Sequence, residues 1–468
     1  MRIALYNPIA PDMNTTPSLG LLYIAAKLEK AGHTSFVFDE RFNKNAVAEV
    51  INFQPQVLGI TSVTASFKNG LSAAEKIKNK LKDIRIVFGG PHASALPEPV
   101  VSEPLVDYVM TGECENSFPQ LCEAINCKNE TESDLENIKN LTFKTKTGDK
   151  ITSSVRREEF LNSEELDLLP FPAFHLMNID AYFNSPQEHG LFQKGKRILP
   201  IMTTRGCPFT CDYCCRIMGK TLRKRSVGNI LSEIKTLIGK YDIDELYIED
   251  DNFTADKKRA IEVLDAIIPT GLKHIKFANG LNVQMIDEEI LIKMKEAGAY
   301  SLSFGVESGC AETLKKMNKK INLDYAEHII MTAKKMGFLV GSNCIIGYPG
   351  ETKKDIRTSI DFFMKLKLDS MAIVNIVPFP GTETRRICEE KQYLTEEAAD
   401  WNNYYFSINN PIPLIKTEYL SKSELKSEIN RAYWKMYFNP VWFFRNLKHL
   451  SLKKIIAGAR QLIFKRFF

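Results

Sequence analysis

The sequence has no run of about eighteen consecutive apolar residues, so it predicts no membrane-spanning helix. Its first residues, MRIALYNPIAPDMN, also lack the long apolar stretch of a signal peptide. Both absences predict a cytoplasmic protein, and a disulfide framework is not expected for the ten cysteines because that compartment keeps thiols reduced. With 44% hydrophobic and 25% charged residues, the composition excludes a disordered or collagen-like chain.

Acidic residues are missing from residues 431–468, which carry nine Lys or Arg and two of the three Trp. The overall charge is +5, so residues 1–430 have a net charge of −4. A basic helix with aromatic residues can lie on an anionic membrane surface, which would place the protein at the inner face of the membrane. The alternative is a helical cap whose cations stay in water. Nucleic acid is not an expected partner, because the body is acidic and no recognition module is present.

At 468 residues, the chain predicts two or three domains. Strand patterns alternate with helical patterns from residue 1 to about 130, which predicts a parallel sheet with ligands at the carboxyl ends of its strands. Residues 1–130 are therefore interpreted as a Rossmann-like domain of α/β class. The strand patterns are RIALYN (2–7), TSFVFD (34–39), VLGITSV (57–63), RIVFGG (85–90) and YVMTG (108–112).

Residues 131–195 are polar and weakly periodic, and they predict a connector that contains a hairpin at KTKTGDKIT and an extended LLPFPAF (168–174). Strand–helix alternation returns over residues 196–385 and predicts a partial (β/α)6 barrel or an open α/β sheet, with functional groups on the loops after the strands. Residues 386–468 are predicted to be helical. The six strand patterns are ILPIMTT (198–204), ELYIED (245–250), HIKFANG (274–280), SLSFGVE (301–307), LVGSNCIIG (339–347) and MAIVNIVPF (371–379).

Three of the cysteines, Cys207, Cys211 and Cys214, follow the first barrel strand in RGCPFTCDYC. A structural zinc site uses four ligands, usually as two pairs, and this chain has no second CxxC pair. Thiolates also select iron–sulfur clusters, and three thiolates on a four-iron cluster leave one iron open to another ligand. The alternative, buried thiols that happen to be close, fits poorly with the Gly and Pro of this loop. Cys215 cannot easily face the same centre as Cys214.

This CxxxCxxC loop, with Tyr213 before the third cysteine, resembles that of radical S-adenosylmethionine (SAM) enzymes. The resemblance implies that the three cysteines hold a [4Fe–4S] cluster whose open iron binds SAM. It also implies that one electron from the cluster cleaves SAM to a 5′-deoxyadenosyl radical, which removes hydrogen from carbon. An electron donor of the flavodoxin or ferredoxin type is then an expected partner.

The same resemblance implies SAM contacts after three further strands of the barrel. The alternatives are local: an acidic cluster can cap a helix, and Gly-Tyr-Pro-Gly forms a turn in any fold. Asn279 and Asn343, near strand ends, are further candidates. The expected SAM-binding residues are Glu249, Asp250, Asp251, Glu307, Ser308, Gly347 and Glu351.

The order of the two domains and the LLPFPAF connector resemble the cobalamin-binding radical SAM subfamily, over nearly the whole chain up to about residue 385. Matching segments include PSLGLLYIAAKLEKAGH (17–33), GGPHAS (89–94) and TGECENSF (111–118), where Cys114 replaces a usual Gly. Small residues would line the channel for the nucleotide tail of cobalamin; the alternative is plain strand-to-helix turns. These residues are Ser62, Thr64, Gly89, Gly90 and Ser94.

The DxHxxG motif of many cobalamin-binding domains is absent, because residues 39–44 read DERFNK. The resemblance then implies that no histidine ligates the lower face of cobalt. A lone loop histidine such as His33 or His92 is more often a turn or surface residue than a ligand.

These features predict a radical enzyme that uses a [4Fe–4S] cluster, SAM and cobalamin to methylate an unactivated carbon of a small molecule. A radical cyclase or oxidoreductase without methyl transfer is an alternative, and so is a non-catalytic iron–sulfur or nucleotide-binding module at the membrane. The basic, apolar tail suggests a lipid-like substrate, although a peptide or a small natural product fits the motifs equally well. The sequence identifies no catalytic residue beyond the expected cofactor ligands.

Overall fold

The computed structural model describes residues 1–11, 16–127, 131–145, 151–153, 160–184, 193–406 and 412–437. Its N-terminal unit contains seven strands: β1 (Arg2–Asn7), β2 (Thr34–Asp39), β3 (Val57–Thr61), β4 (Arg85–Gly89), β5 (Tyr108–Met110), β6 (Leu141–Lys144) and β7 (Ile151–Ser153). They form one sheet in the order β2-β1-β3-β4-β5-β6-β7. The first five strands pair in parallel, and β6 and β7 add an antiparallel edge.

Helices cover both faces of this sheet, as the alternation of patterns predicts. In the first of them, apolar side chains recur at helical spacing, so Leu21, Leu22, Ala25 and Leu28 are all buried against the sheet. The helices are α1 (Leu19–Lys30), α2 (Ala46–Phe53), α3 (Phe67–Lys80), α4 (Gly90–Ala95), α5 (Pro97–Ser102), α6 (Ser117–Asn126) and α7 (Glu132–Glu136).

The first part of the segment expected to be a connector, residues 131–195, belongs to this sheet. The hairpin expected at KTKTGDKIT is present as β6 and β7, and β6 pairs with β5 through Tyr108 and Phe143. Only the later part of the segment, with α8 (Ser163–Asp167) and α9 (Ile179–Asn184), links the two units. The domain boundary at residue 130 therefore stays a prediction.

Eight further strands follow: β8 (Ile198–Ile201), β9 (Thr204–Arg205), β10 (Arg223–Lys224), β11 (Glu245–Ile248), β12 (His274–Phe277), β13 (Ser301–Glu307), β14 (Leu339–Ile346) and β15 (Ser370–Asn375). Six of them form a partial barrel from two parallel three-stranded sheets, β8-β11-β12 and β13-β14-β15. Isolated bridges between Ile275 and Ala299 and between Leu281 and Phe304 join the two halves. The two remaining strands, β9 and β10, pair antiparallel with each other.

The barrel helices are α10 (Val227–Tyr241), α11 (Lys257–Ile267), α12 (Glu288–Glu296), α13 (Ala311–Lys316), α14 (Leu323–Lys335) and α15 (Lys353–Leu366). Most of them begin at a residue whose side-chain oxygen accepts a backbone N–H of the first turn. Ser226 caps α10, Asp256 caps α11 and Asn322 caps α14 in this way. These caps fix where each strand-to-helix loop ends, and hence where its functional groups lie.

The C-terminal region adds α16 (Glu383–Glu390), short 3-10 turns at Glu396–Ala399 and Trp401–Asn403, and α17 (Lys422–Tyr437). Ion pairs Arg357–Glu428 and Lys353–Glu424 hold α17 on α15, so this part of the basic region is a helical cap on the barrel. Residues 438–468, which carry most of the basic tail, lie outside the described residues. Within the described ranges, no helix is both long and apolar enough to cross a bilayer.

Candidate active site at the junction of sheet and barrel

The three cysteines lie on a loop that the short β9–β10 ladder closes at its base, where Arg205 pairs with Arg223. Gly206 enters this loop with φ of 85°, and a Cβ there would approach the carbonyl oxygen of Thr221 to 2.3 Å, so only glycine fits. The far side of the loop is tied to the barrel, because Asp212 N–H donates to the carbonyl of Met317 at 3.1 Å. The loop is therefore held at both ends.

The three cysteine side chains differ in how far they are open to water. Cys207 and Cys211 are half-buried, and Cys214 is exposed. Burial and the nearby negative charges of Cys215, Cys211 and Cys207 raise the pKa of the Cys214 thiol to about 12. Among the residues that the structure describes, no three His, Cys, Asp or Glu side chains converge on a single-ion site.

Two of the expected SAM-binding carboxylates lie beside this loop. Asp251 contributes to the raised pKa of Cys207 and Cys214, after burial, and Glu307 does the same for Tyr213. Glu307 ends β13 with φ of 70°, a strained backbone for a non-glycine residue, and its carboxylate lies 3.7 Å from Lys319 Nζ. Lys319 had no signal in the sequence, because it lies in an ordinary helix-to-helix loop.

Asp250, Ser308, Gly347 and Glu351 are engaged in hydrogen bonds within the protein. Asp250 accepts from the N–H and hydroxyl of Thr203, both at 2.5 Å, and thereby fixes the strand end that leads to the cysteines. The hydroxyls of Ser308 and Ser359 lie 2.8 Å apart, and Glu351 accepts the N–H of Gly347 at 2.6 Å. Burial raises the pKa of Glu351 to about 8. Their contact with SAM stays a prediction.

Glu249 points across the seam between the two units. Burial raises the pKa of its carboxyl group to about 7, while the Thr16 hydroxyl and the charge of Arg41 act in the opposite direction. Asn279, a lower-ranked candidate, donates to the carbonyl of Asp250 at 2.9 Å. The loop after β11 therefore contacts both the N-terminal unit and the next strand.

A cavity of about 310 Å³ opens between one face of the N-terminal sheet, α1 and the loop after the cysteines. Its walls on the sheet side are mostly glycine and apolar residues, such as Gly59, Gly89 and Phe88, but Glu113 and Glu115 also line it. The barrel contributes Cys215, Ile217, Met218 and Asp251. A narrow apolar slot of this size suits a flat aromatic group, and its mouth lies beside the cysteine loop.

The five expected cobalamin residues divide between this slot and its surroundings. Gly89 and Gly90 line the slot, and Ser94 lines an adjoining cavity of about 900 Å³. Ser62 and Thr64 line neither of these two cavities. The Ser62 hydroxyl donates to the carbonyl of Gly89 at 3.3 Å, and Thr64 Oγ1 lies 3.3 Å from His92 Nδ1.

Two places in the N-terminal unit concern the expectation that no histidine ligates cobalt: His92 and the end of β2. His92 is 2% exposed and its ring packs on Phe67 and Trp401, and burial lowers its pKa to about 4. At the end of β2, where the DxHxxG histidine would follow, Arg41 and Asp39 form an ion pair at 2.5 Å.

A buried charge network that the sequence did not reveal joins the two units. Glu113 and Glu115 follow β5, whereas Arg205 and Arg223 flank the cysteine loop. Arg205 Nη1 lies 2.7 Å from Glu115 and 3.2 Å from Glu113, and Arg223 Nη1 lies 2.7 Å from Glu113. The Glu113 side chain is 1% exposed. The acidic pair stood in the TGECE segment, but nothing in the sequence connected it to residues 110 positions later.

Comparison with known proteins places both units. A model of the B12 binding domain matches residues 10–122, and a model of the radical SAM superfamily matches residues 201–363. An uncharacterized methyltransferase of Pyrococcus horikoshii is 29% identical over 461 residues, which cover 96% of this chain and 95% of the relative. A cytidylyl-2-hydroxyethylphosphonate methyltransferase of Streptomyces wedmorensis is 29% identical over 453 residues, covering 86% and 84%.

An anaerobic magnesium-protoporphyrin IX monomethyl ester cyclase of Cereibacter sphaeroides is 24% identical over 463 residues, which cover 95% of this chain and 71% of the relative. Among solved structures, the cobalamin-dependent S-adenosylmethionine radical enzyme OxsB matches with a TM-score of 0.72 and 15% identity, over 98% of this chain and 71% of that one. The methyltransferase TsrM from Kitasatospora setae matches with a TM-score of 0.65 and 19% identity, over 83% and 76%. Both structures share the fold.

Proposed function

Because the chain belongs to the cobalamin-dependent radical SAM family, we propose that it methylates an unactivated carbon of its substrate. Its cofactors are a [4Fe–4S] cluster, SAM and cobalamin. When bound, the cluster and SAM supply a hydrogen-abstracting radical and cobalamin supplies the methyl group. The observation that carries the proposal is the 310 Å³ slot, since its walls come from the glycine-rich strand ends of the sheet and from Cys215 and Asp251 of the barrel.

We assign Cys207, Cys211 and Cys214 as the cluster ligands. The donor set fits, because three soft thiol ligands stand on one tethered loop, and the partial exposure of the loop leaves room for a larger centre than one ion. Asp251 and Glu307 are the carboxylates best placed to bind the charged end of SAM, with Lys319 as a third polar group beside them. Asp250, Ser308, Gly347 and Glu351 would act by holding the strand-end loops in place.

For cobalamin, the slot fits the flat aromatic base of the nucleotide tail. Gly89 and Gly90 would let the backbone approach it closely, and Gly20 of α1 offers a wall on which a Cβ would meet no protein atom within 4 Å. Ser62 and Thr64 would support these walls from behind. The ion pair of Asp39 and Arg41 lies where the histidine of a DxHxxG motif would follow β2, so this chain would hold cobalamin without a histidine at that position.

A cyclase reaction without methyl transfer is the second candidate, favoured by the relative that acts on magnesium-protoporphyrin IX monomethyl ester. Reaction products separate the two. The anaerobically reconstituted protein, given SAM and a reductant, should form both S-adenosylhomocysteine and 5′-deoxyadenosine if it is a methyltransferase. 5′-Deoxyadenosine without S-adenosylhomocysteine would favour the cyclase. If neither product forms, although cluster and cobalamin are both bound, the proposal is wrong.

The substrate and partners are proposed more coarsely. We propose a hydrophobic or natural-product-like small molecule as substrate and a flavodoxin- or ferredoxin-type electron donor. Contact with the inner face of the membrane through residues 431–468 is also a proposal; it is supported by nine cations without a carboxylate. Sedimentation with vesicles containing anionic lipid tests it, since a chain ending at residue 437 should then lose its binding.

A further inference from the structure

The second cavity, of about 900 Å³, adjoins the slot and is lined by several cationic side chains. It lies between the loops after β4 and β5, the connector at Phe160 and the loop from Cys215 to Arg223. The two cavities share Pro91, Gly112, Cys215 and Ile217, so a ligand in one can extend into the other. The larger cavity therefore belongs to the same junction.

Charge in this cavity has one sign. Arg216, Lys220 and Arg223 line it, and no Asp or Glu is among its lining residues. Arg223 is neutralised by Glu113 at 2.7 Å. By contrast, Arg216 and Lys220 form no ion pair with any residue that the structure describes. These two cations are four residues apart on one short loop, and an anion bound between them would reduce their mutual repulsion.

Hydroxyl groups add directional donors to the same wall. Ser94 Oγ accepts the N–H of Gly112 at 2.9 Å, and Ser163 Oγ accepts the N–H of Lys224 at 2.9 Å. These two bonds use oxygen lone pairs and leave both hydroxyl hydrogens unused. Two cations with two hydroxyl groups match the negative charge and the oxygen acceptors of a phosphate group.

We propose that Arg216 and Lys220, with Ser94 and Ser163, form a binding site for a phosphate group next to the cobalamin slot. Two sources share this chemistry: the phosphodiester in the nucleotide loop of cobalamin and a phosphoryl or phosphonyl group of the substrate. The assignment deepens the proposed function, but simple binding of a phosphate compound by the unreacted protein does not depend on catalysis. Its failure is therefore distinguishable from failure of the methylation proposal.

The first experiment is titration of the full-length, cobalamin-free protein with inorganic pyrophosphate in a calorimeter. The variant R216Q/K220Q should bind pyrophosphate about 10- to 100-fold more weakly, because each cation contributes a charge-assisted hydrogen bond. The control R431Q/K426Q makes the same change of net charge on α17 and should bind as the wild type does. Equal affinity of the wild type and R216Q/K220Q would overturn the site. Lys220→Gln alone changes an exposed side chain and tests the same point if the double variant misfolds.

The second experiment identifies the source. If the cobalamin phosphodiester fills the site, R216Q/K220Q should lose affinity for cobalamin but not for cobinamide, which lacks the nucleotide loop and its phosphate. If the substrate fills it, cobalamin-loaded wild type should still bind pyrophosphate, and R216Q/K220Q loaded in the same way should not. A protein whose cobalamin and pyrophosphate affinities are both unchanged by the double substitution has no phosphate site here.

Discussion

The N-terminal sheet and the barrel differ in the groups that they present to a cofactor. The sheet is continuous over seven strands, and the slot it forms is walled mainly by backbone and apolar groups such as Gly59, Gly89 and Phe88. The barrel is split into two three-stranded halves, and its strand ends carry thiols and carboxylates. The sheet therefore offers a wall whose shape is set by backbone and apolar groups, whereas the barrel offers thiol and carboxylate groups.

Side-chain chemistry should matter most on the barrel side, and Cys207→Ala tests this with the largest expected effect. Loss of one thiol leaves the cluster two ligands, so iron content and the brown absorbance should fall and SAM cleavage should become undetectable. The control is Cys215→Ala, which removes an exposed neighbouring thiol and should keep the cluster. A Cys207→Ala protein that still cleaves SAM would contradict the ligand assignment. It would also show that the barrel does not depend on this side chain more than the sheet depends on its own.

Glu113→Gln removes the charge of a residue whose ion pairs join the N-terminal sheet to the barrel. Removing the charge from a buried carboxylate leaves Arg223 without its partner, which is expected to lower the free energy of unfolding by about 3–5 kcal/mol. Chemical denaturation measures this, and Asp361→Asn in the exposed pair with Lys435 should cost about 1 kcal/mol or less.

The same variant has a readout that general destabilisation does not predict. If Glu113 sets the spacing between the units, the magnetic coupling between cob(II)alamin and the reduced cluster should change in Glu113→Gln, while Asp361→Asn should leave it unchanged. If the coupling is unchanged in a folded Glu113→Gln protein, the charge network stabilises the fold but does not set the spacing between the two units.

Acid should lower the stability of the N-terminal sheet, because His92 is buried there without a proton. Its folded pKa of about 4 lies below the usual 6.5, so between these pH values the unfolded chain binds a proton that the folded protein does not. The free energy of unfolding should therefore fall by about 3 kcal/mol as pH drops through that window. His92→Phe should remove this component, whereas His328→Phe, at an exposed position, should retain it. Parallel pH profiles for wild type and His92→Phe would contradict the buried, neutral state.

Regular elements could be predicted where a pattern is local. The predicted bounds of β1, β2 and β13 coincide with the structure, because each has a buried apolar centre and ends at a polar residue. The hairpin of β6 and β7 was predicted, but its antiparallel addition to the sheet was not, since pairing across a sheet edge depends on partners far away in the chain. The division of the barrel into two halves was equally invisible, because each strand pattern looked alike.

The loop that carries the three cysteines could be predicted from the sequence, and the contacts that support the site less so. The spacing of Cys207, Cys211 and Cys214 indicated one loop, and the structure places them on one. That Ser62 and Thr64 line the channel for the nucleotide tail stays a prediction. In the structure they form hydrogen bonds with Gly89 and His92, and no sequence pattern encodes those bonds. Glu113 lacked any signal for pairing with Arg223, because ion pairs between units depend on the packing of the whole fold.

The smallest expected effect tests recognition by shape. Gly20→Leu adds a side chain to the wall of the slot at a position where the protein offers open space, so the fold should tolerate it. A bound nucleotide tail would be crowded, and cobalamin retention should fall about tenfold in gel filtration and absorbance measurements, with iron content unchanged. Gly228→Leu is the matched control, because it too is the second residue of a helix with open space around it. If Gly20→Leu retains cobalamin as well as Gly228→Leu does, the tail lies elsewhere, and the sheet cannot be the region that selects by shape.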